Sequence, residues 1–130
     1  MAIQILQDGP RNVIVKLDLV VAGAVAATEL IDPADLGPID NYSNLLANQL
    51  AIKKITYDVQ SPGSVTILWD ATTDVTAVTL AGHNTMCFAE GQPLQNNAGT
   101  GKTGIINYSA VDGATDYTVT VVLELIKQRV

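Results

Sequence analysis

The sequence has few of the residues from which chemical sites are usually built. Its 130 residues include one cysteine, one histidine, one tryptophan and one phenylalanine, and only 15% of the side chains are charged. One cysteine cannot form an intramolecular disulfide, and one histidine cannot supply a histidine-rich metal site. Seven basic against thirteen acidic residues give a net charge of −6, so the chain lacks the positive excess that nucleic-acid binding requires. The composition therefore excludes more classes of function than it selects.

Targeting and membrane-spanning signals are also missing from the sequence. The first eight residues contain no basic region followed by an apolar one, and they predict no signal peptide. The longest apolar stretch, residues 17–27, is interrupted by Asp18 and Gly23 and is shorter than the roughly 18 residues that a membrane span needs. We therefore expect a soluble protein without membrane partners, made in a cytoplasm and assembled there.

What the sequence does contain is apolar material for one core. Hydrophobic residues make up 48% of a 13.7 kDa chain, which is typical of a folded domain rather than a disordered chain. A chain of this length buries enough surface to fold without a metal or a disulfide. We expect residues 1–130 to form a single domain.

Apolar and polar residues alternate along most of the chain, as expected for half-buried β-strands. Asp8-Gly9 and Asp112-Gly113 are typical hairpin turns. Eight short strands with little helical pattern predict an all-β antiparallel sandwich, and a jelly roll of two four-stranded sheets fits that count. The predicted strands are residues 3–7, 12–21, 51–59, 65–69, 75–80, 85–89, 103–109 and 116–128.

Residues 22–49 interrupt this pattern, and we interpret them as an irregular arm or loop insertion. Residues 31–41 alone contain two prolines, one glycine and three aspartates, which favours a loop. A loop of this length in a small domain is usually functional. Its apolar side chains cannot all reach the protein's own core, so we expect some of them to anchor a neighbouring molecule. These interface candidates are Leu30, Ile31, Leu36, Ile39, Tyr42 and Leu45.

The patterns that resemble chemical sites fail on their spacing. Residues 99–104 are similar to the end of a phosphate-binding loop, but Asn96 stands where that motif requires glycine. The aspartates at 32, 35 and 40 do not have the spacing of a calcium-binding loop, and helix capping or a solvated loop explains them better. His83 and Cys87 have no partner for a catalytic triad or a zinc site. The sequence thus predicts no catalytic, cofactor-binding or metal-binding residue, and a protein that is not an enzyme.

The aromatic residues leave two interpretations open. Trp69 and Tyr57 share their strand faces with Ile67 and Ile55, which favours packing in the core. The alternative is a carbohydrate-binding jelly roll in which aromatic side chains stack on a sugar. Its candidate platforms are Trp69, Tyr108 and Tyr117.

Five segments together resemble small structural proteins of tailed bacteriophages. The first contains Leu-Gln-Asp-Gly-Pro-Arg-Asn-Val and extends over residues 3–17, and the last covers residues 118–127. Between them lie Lys-Ile-Thr-Tyr-Asp-Val at 54–59, Leu-Trp-Asp-Ala-Thr-Thr at 68–73 and Leu-Gln-Asn-Asn-Ala-Gly at 94–99. The closest resemblance is to head decoration, or cement, proteins encoded beside the major capsid protein. Residues 22–48 depart from these proteins in being longer and richer in proline.

This resemblance implies a β-sandwich that decorates the virion at the capsid surface and stabilises the shell of major capsid protein. It also implies a homo-oligomer, either a trimer or a dimer, without cofactors or bound nucleic acid. Another virion component, in the tail, the neck or a head fibre, is the alternative within the same class. The carbohydrate-binding jelly roll is the alternative outside it.

Overall fold

The computed structural model describes residues 2–39, 45–88, 92–113 and 115–129. Within these ranges the chain forms nine β-strands and one turn of 3₁₀ helix at Pro33–Asp35, and it has no α-helix. The strands are β1 (Ala2–Asp8), β2 (Asn12–Val21), β3 (Val25–Ile31), β4 (Gln49–Val59), β5 (Val65–Trp69), β6 (Val75–Leu80), β7 (Gly82–Cys87), β8 (Ile106–Ala110) and β9 (Tyr117–Gln128).

The strands form two antiparallel sheets that pack face to face as a β-sandwich. One sheet has the order β1-β2-β9-β4-β7, and the other has the order β3-β8-β5-β6. Alternate residues of β2, β5 and β9 are buried between the sheets, which explains the period-two pattern of these strands. The expected all-β antiparallel architecture is confirmed.

Strand β9 lies at the centre of the five-stranded sheet and organises its register. It pairs with β2 over the whole length of β2, from Asn12 opposite Ile126 to Val21 opposite Tyr117. On its other side it pairs with β4. Each fully buried Leu or Ile in these rows contributes about 2 kcal/mol of hydrophobic stabilisation. The largest fully buried side chains are Trp69, Tyr108, Tyr117, Leu17, Leu50, Ile52, Ile55, Ile67, Leu80, Ile106, Leu123 and Leu125.

The described chain has nine strands where the sequence pattern predicts eight, and the additional strand is β3. It lies inside residues 22–49, so the interpretation of that whole segment as irregular was wrong. Only Leu30 and Ile31 of β3 are buried, and its pairing with β8 is irregular at two places. A strand with one buried end and no alternation carries no period-two signal, which is why the sequence pattern misses it.

Both long connections lie at one end of the sandwich. The connection from β3 to β4 and the connection from β7 to β8 each join a strand of one sheet to a strand of the other. At this end Ile106 is the register partner of both Ile31 and Trp69, while Gln49 pairs with Gln128 in the facing sheet. We define the long-loop end as the described residues within 32–48, 70–74 and 92–105.

Candidate binding surface at the long-loop end

A buried lysine fixes the first long loop to the sandwich. Lys127 follows Leu125 on the inward face of β9, and its side chain is 0% exposed. Its Nζ donates hydrogen bonds to Asp8 Oδ1 at 2.5 Å and to the carbonyl of Gly37 at 2.8 Å. The N–H of Gly37 in turn donates to Asp8 Oδ2 at 2.8 Å. These three residues, which we call the Lys127 clamp, connect the ends of β1 and β9 to the loop.

The clamp keeps Asp8 ionised. Burial alone would raise the pKa of Asp8, but the hydrogen bonds from Lys127 and Gly37 and the positive charge of Lys127 outweigh it. The pKa of Asp8 therefore lies below its usual value. A buried ammonium group is stable only when a counter-charge and hydrogen-bond acceptors surround it, and the clamp supplies both.

Local hydrogen bonds shape the loop between β3 and the clamp. Asp32 caps the 3₁₀ turn, because its carboxylate accepts a hydrogen bond of 2.9 Å from the N–H of Ala34. Pro33 occupies the first position of the turn, where its missing N–H costs nothing. Farther along, the N–H of Ile39 donates to the carbonyl of Leu45 at 2.7 Å. The expected capping role is thus confirmed for Asp32, whereas Asp40 lies outside the described residues.

The second long loop is attached to the first sheet by backbone pairing and a ladder of amides. Leu94 exchanges two backbone hydrogen bonds with Ile52, at 2.8 and 3.0 Å. The side-chain amide of Gln49 donates to Gln128, and the amide of Gln128 donates to Gln95, each at 3.0 Å. The ladder therefore joins β4, β9 and the second loop.

The two loops also touch each other directly. Gly104 has a φ of +85°, and a Cβ built there would lie 2.1 Å from the carbonyl oxygen of Asn48. Only glycine permits both this backbone conformation and this approach. Beside the contact lies a shallow, open depression of about 230 Å³ that is lined by Asn48, Gln49, Lys102, Thr103 and Gly104.

A cluster of hydrogen-bonded polar side chains connects the loop between β5 and β6 to the second long loop. Thr103 Oγ1 donates to Asp70 Oδ2 at 2.6 Å, and the N–H of Thr103 donates to the carbonyl of Asp70 at 3.3 Å. The buried amide of Asn107 donates to Asp70 at 2.9 Å and to Asp74 at 3.3 Å. Both carboxylates therefore accept structural hydrogen bonds. Among the described residues, no group of three or more His, Cys, Asp or Glu side chains is arranged to hold a metal ion.

Three of the six interface candidates are core residues, and their assignment is corrected. Leu30 and Ile31 are the last two residues of β3 and are 4% and 5% exposed. Leu36 is 4% exposed, just after the 3₁₀ turn, and belongs to the same core cluster. Leu30 and Ile31 are buried because they belong to the end of β3, and Leu36 is buried because the loop is held against the sandwich at the adjacent Gly37. Ile39 is half-buried, Leu45 is exposed, and Tyr42 lies outside the described residues.

The sequence reasoning missed Leu46, the neighbour of Leu45. Leu45 and Leu46 are 38% and 39% exposed. Their carbonyl groups accept hydrogen bonds from the N–H of Ile39 at 2.7 Å and from the guanidinium of Arg129 at 3.2 Å. The next residue, Ala47, is buried. Leu46 directly follows the candidate Leu45, and this adjacency was the available signal. We call Leu45 and Leu46 the leucine pair.

The aromatic candidates for carbohydrate stacking are buried. Trp69, Tyr108 and Tyr117 are each at most 1% exposed. The hydroxyl of Tyr117 donates to the carbonyl of Val111 at 2.5 Å, which satisfies its polar end inside the fold. Stacking on a sugar needs an exposed ring face, so these three residues do not provide the proposed platform. The interpretation of Trp69 and Tyr57 as core residues is confirmed.

The glycine-containing loop at 99–104 does not have the context of a phosphate-binding loop. Such a loop precedes a helix whose N-terminus faces the phosphate. Here strand β8 follows the loop.

No model of a known protein family matches the sequence. A search of curated proteins finds no match either. In the described ranges, no helix combines the length and the hydropathy that crossing a bilayer requires.

Proposed function

We propose that this protein is a structural component of a tailed-bacteriophage virion, most like a head decoration or cement protein. In this role it binds the shell of major capsid protein at the capsid surface and stabilises it. The observation that carries the proposal on the structural side is the leucine pair, exposed on a loop whose backbone is fixed on both sides. The resemblance of five sequence segments to such proteins supplies the class of partner.

We further infer that the sandwich is a jelly roll with one added edge strand. From β2 to β9, successive strands change sheets at every step except from β5 to β6. This gives two sets of four, β2-β9-β4-β7 and β3-β8-β5-β6, with β1 added beside β2. Two interleaved four-stranded sheets are the arrangement of jelly rolls, which are frequent in viral capsid proteins.

The long-loop end has the physical properties that a permanent contact needs. A cement protein performs no chemistry, and its effect is the free energy of the interface that it adds to the shell. Apolar area contributes roughly 25 cal/mol per Å², and ordering flexible loops on binding subtracts from it. The Lys127 clamp at Gly37 and the contact of Gly104 with Asn48 attach described residues on either side of the leucine pair to the sandwich. These attachments reduce the conformational entropy that binding through the leucine pair loses.

The test is binding to expanded shells of the major capsid protein from the phage that encodes this chain. A double variant, Leu45→Ser with Leu46→Ser, should bind at least about tenfold more weakly, as expected when two central apolar anchors are removed. The matched control is Val111→Ser, which removes a side chain of 48% exposure at the opposite end of the sandwich. The control should bind as the unchanged protein does.

Two outcomes would contradict the proposal. The first is failure of the unchanged, folded protein to bind shells either before or after expansion. The second is a small number of copies per purified virion by quantitative mass spectrometry, where a decoration protein is present in amounts comparable to the capsid protein. A low copy number would favour the tail, the neck or a head fibre.

A further inference from the structure

Strand β1 is an edge strand with an unusual number of exposed apolar side chains. It pairs with β2 on one side, and no described strand pairs with its other side. Ile3, Ile5 and Leu6 are 37%, 48% and 54% exposed. They are three of the seven large apolar side chains that the described chain exposes. Natural sheet edges are usually protected by charges, proline, a bulge or a covering loop. The register of β1 shifts between Ile5 and Gln7, but residues 2–5 pair regularly with β2, so the exposed edge at Ile3 and Ile5 requires an explanation.

Ile3 and Ile5 are exposed because they extend the inward apolar face of the larger sheet onto β1, and the second sheet does not cover β1. Ile3 is the register partner of Leu17, and Ile5 is the register partner of Val15. Both partners are 1% exposed. Since register partners share a face of the sheet, Ile3 and Ile5 lie on the inward face, beside the core. The inward apolar face of the larger sheet is therefore not covered at β1.

The edge carries no unpaired charge, although the chain as a whole has a net charge of −6. Asp8, the one charged residue of β1, is held by Lys127 and Gly37. Asp18, opposite the start of β1, forms an ion pair of 3.2 Å with Lys16. A surface that is free of exposed, unpaired carboxylates adds no local like-charge repulsion when two negatively charged molecules approach each other. Strand β1 is such a surface.

We propose that β1 pairs in the antiparallel direction with β1 of a second copy of this chain, which joins the two five-stranded sheets into one. A pairing register centred on Gln4 places the inward-facing residues of one β1 strand opposite the inward-facing residues of the other. It places Ile3 of each copy opposite Ile5 of the other and the two Gln4 side chains opposite each other. All four isoleucines then lie on the inward side and cover one another, while the free backbone groups of both edges become hydrogen-bonded.

The sequence of β1 favours a second copy over a strand of another protein. A two-fold axis through Gln4 exchanges the two isoleucine positions, so the strand is complementary to itself, as a symmetric dimer interface requires. In this register residues 2–6 of the two strands overlap, which makes a small contact, below the roughly 1,200 Å² of stable interfaces. We therefore expect reversible association in the micromolar range. This dimer does not require capsid binding.

Sedimentation velocity over a range of concentrations tests the dimer in the isolated protein. The unchanged protein should shift from monomer to dimer as its concentration rises. Ile5→Lys places a charge in the apolar contact and should raise the dimer Kd at least about tenfold. The matched control is Val111→Lys, because Val111 and Ile5 are both 48% exposed. It should leave the dimer Kd unchanged, and thermal unfolding should verify that both variants are folded.

Disulfide trapping tests the register. Both variants carry Cys87→Ser, which removes the exposed natural thiol. Gln4→Cys should then form a disulfide-linked dimer under mild oxidation. The reason is that residues directly opposite each other in paired strands have their Cβ atoms close together. Thr79→Cys, at an exposed position on edge strand β6, is the control and should not cross-link at the same rate.

Three results would overturn this proposal. One is a protein that stays monomeric up to several hundred micromolar. Another is a Gln4→Cys variant that cross-links no faster than the Thr79→Cys control. The third is a monomeric protein whose Ile5→Lys variant loses binding to capsid shells, which would make the capsid protein, rather than a second copy, the occupant of the edge.

Discussion

At the scale of single residues, the Lys127 clamp connects residues 8, 37 and 127 by hydrogen bonds and an ion pair. Lys127 occupies an inward-facing position of β9, and the other inward-facing residues of that strand are apolar. Replacing a buried ion pair by apolar residues is often tolerated, whereas removing one partner leaves an uncompensated charge. Because the side chain of Lys127 is 0% exposed and that of Asp8 is 29% exposed, the two charged members of the clamp should respond differently to substitution.

We expect Asp8→Ala to destabilise the protein by about 3 kcal/mol, since it leaves the buried ammonium group of Lys127 without its counter-charge. Lys127→Met should cost less, because methionine fills a similar volume without a charge and the partly exposed Asp8 can be hydrated. Asp35→Ala, at an exposed position of the same loop, should change the free energy of unfolding by less than about 0.5 kcal/mol. Denaturant titration measures all three. Equal effects of the two clamp substitutions would contradict this account.

The clamp also predicts how stability depends on pH. Because the pKa of Asp8 is lower in the folded protein than its usual value of 3.8, the carboxylate stabilises the fold fully above that value. The stabilisation is lost as the pH falls through the lower pKa of the folded state. The difference in unfolding free energy between the unchanged protein and Asp8→Asn should thus be constant from neutral pH down to about 5 and should shrink below about 4. If this difference in unfolding free energy grew on acidification, the pKa of Asp8 would be raised rather than lowered in the folded protein.

Gly104 is the residue on which the contact between the two loops depends. Gly104→Ala should destabilise the protein by about 2 kcal/mol or more, because it combines a positive φ with a close approach to the carbonyl of Asn48. Gly99→Ala is the matched control in the same loop. A Cβ at Gly99 meets no atom within 4 Å, so the control should be nearly neutral. Thermal and denaturant unfolding of both variants distinguishes them.

At the scale of elements, the sequence predicts the strands that have two different faces. β2 and β9 alternate strictly because one face of each lies in the core, and both were predicted within about a residue of their bounds. β3 was missed because it buries only its last two residues. Pairing with β8 makes it a strand, and partners that are 75 to 85 residues away leave no local pattern.

The loop after β3 explains why the candidate interface was only partly predictable. Composition identified the apolar side chains of this loop but not their direction. Leu36 turns inward because the Lys127 clamp holds the adjacent Gly37 against the sandwich. Leu45 remains exposed on the other part of the loop. Whether a side chain of this loop points into the core depends on the contact between residues 8, 37 and 127. A contact between such distant parts of the chain cannot be derived from the spacing of apolar residues.

This division of the loop can be tested by stability alone. Leu36→Ala should cost about 3 kcal/mol, as expected for a core leucine. Leu45→Ala should cost less than about 1 kcal/mol, because its side chain is already 38% exposed. Both substitutions remove the same atoms from the same loop, so each controls for the other in denaturant titration. A large loss of stability in Leu45→Ala would place that residue in the core and remove it from the candidate binding surface.

At the scale of the whole molecule, the two proposed contacts have a fixed geometric relation. The Asp8 end of β1 lies at the long-loop end, since Asp8 contacts Gly37 there. Antiparallel pairing of two β1 strands reverses their directions. A dimer therefore points its two long-loop ends away from each other. Such a dimer cannot place both ends on one site, but in solution it can hold two capsomers, one at each end.

If both proposals hold, the dimer should bridge two capsomers of the major capsid protein in solution. With capsomers in excess, sedimentation should detect complexes containing two capsomers for the unchanged protein and for Val111→Lys. Ile5→Lys should bind single capsomers with unchanged affinity and form no bridged complex, because sites on separate surfaces act independently. The double substitution of the leucine pair should prevent capsomer binding while the dimer persists. A bridged complex formed by monomeric Ile5→Lys would require a second capsid-binding surface on one chain, and the long-loop end would then not be the sole contact.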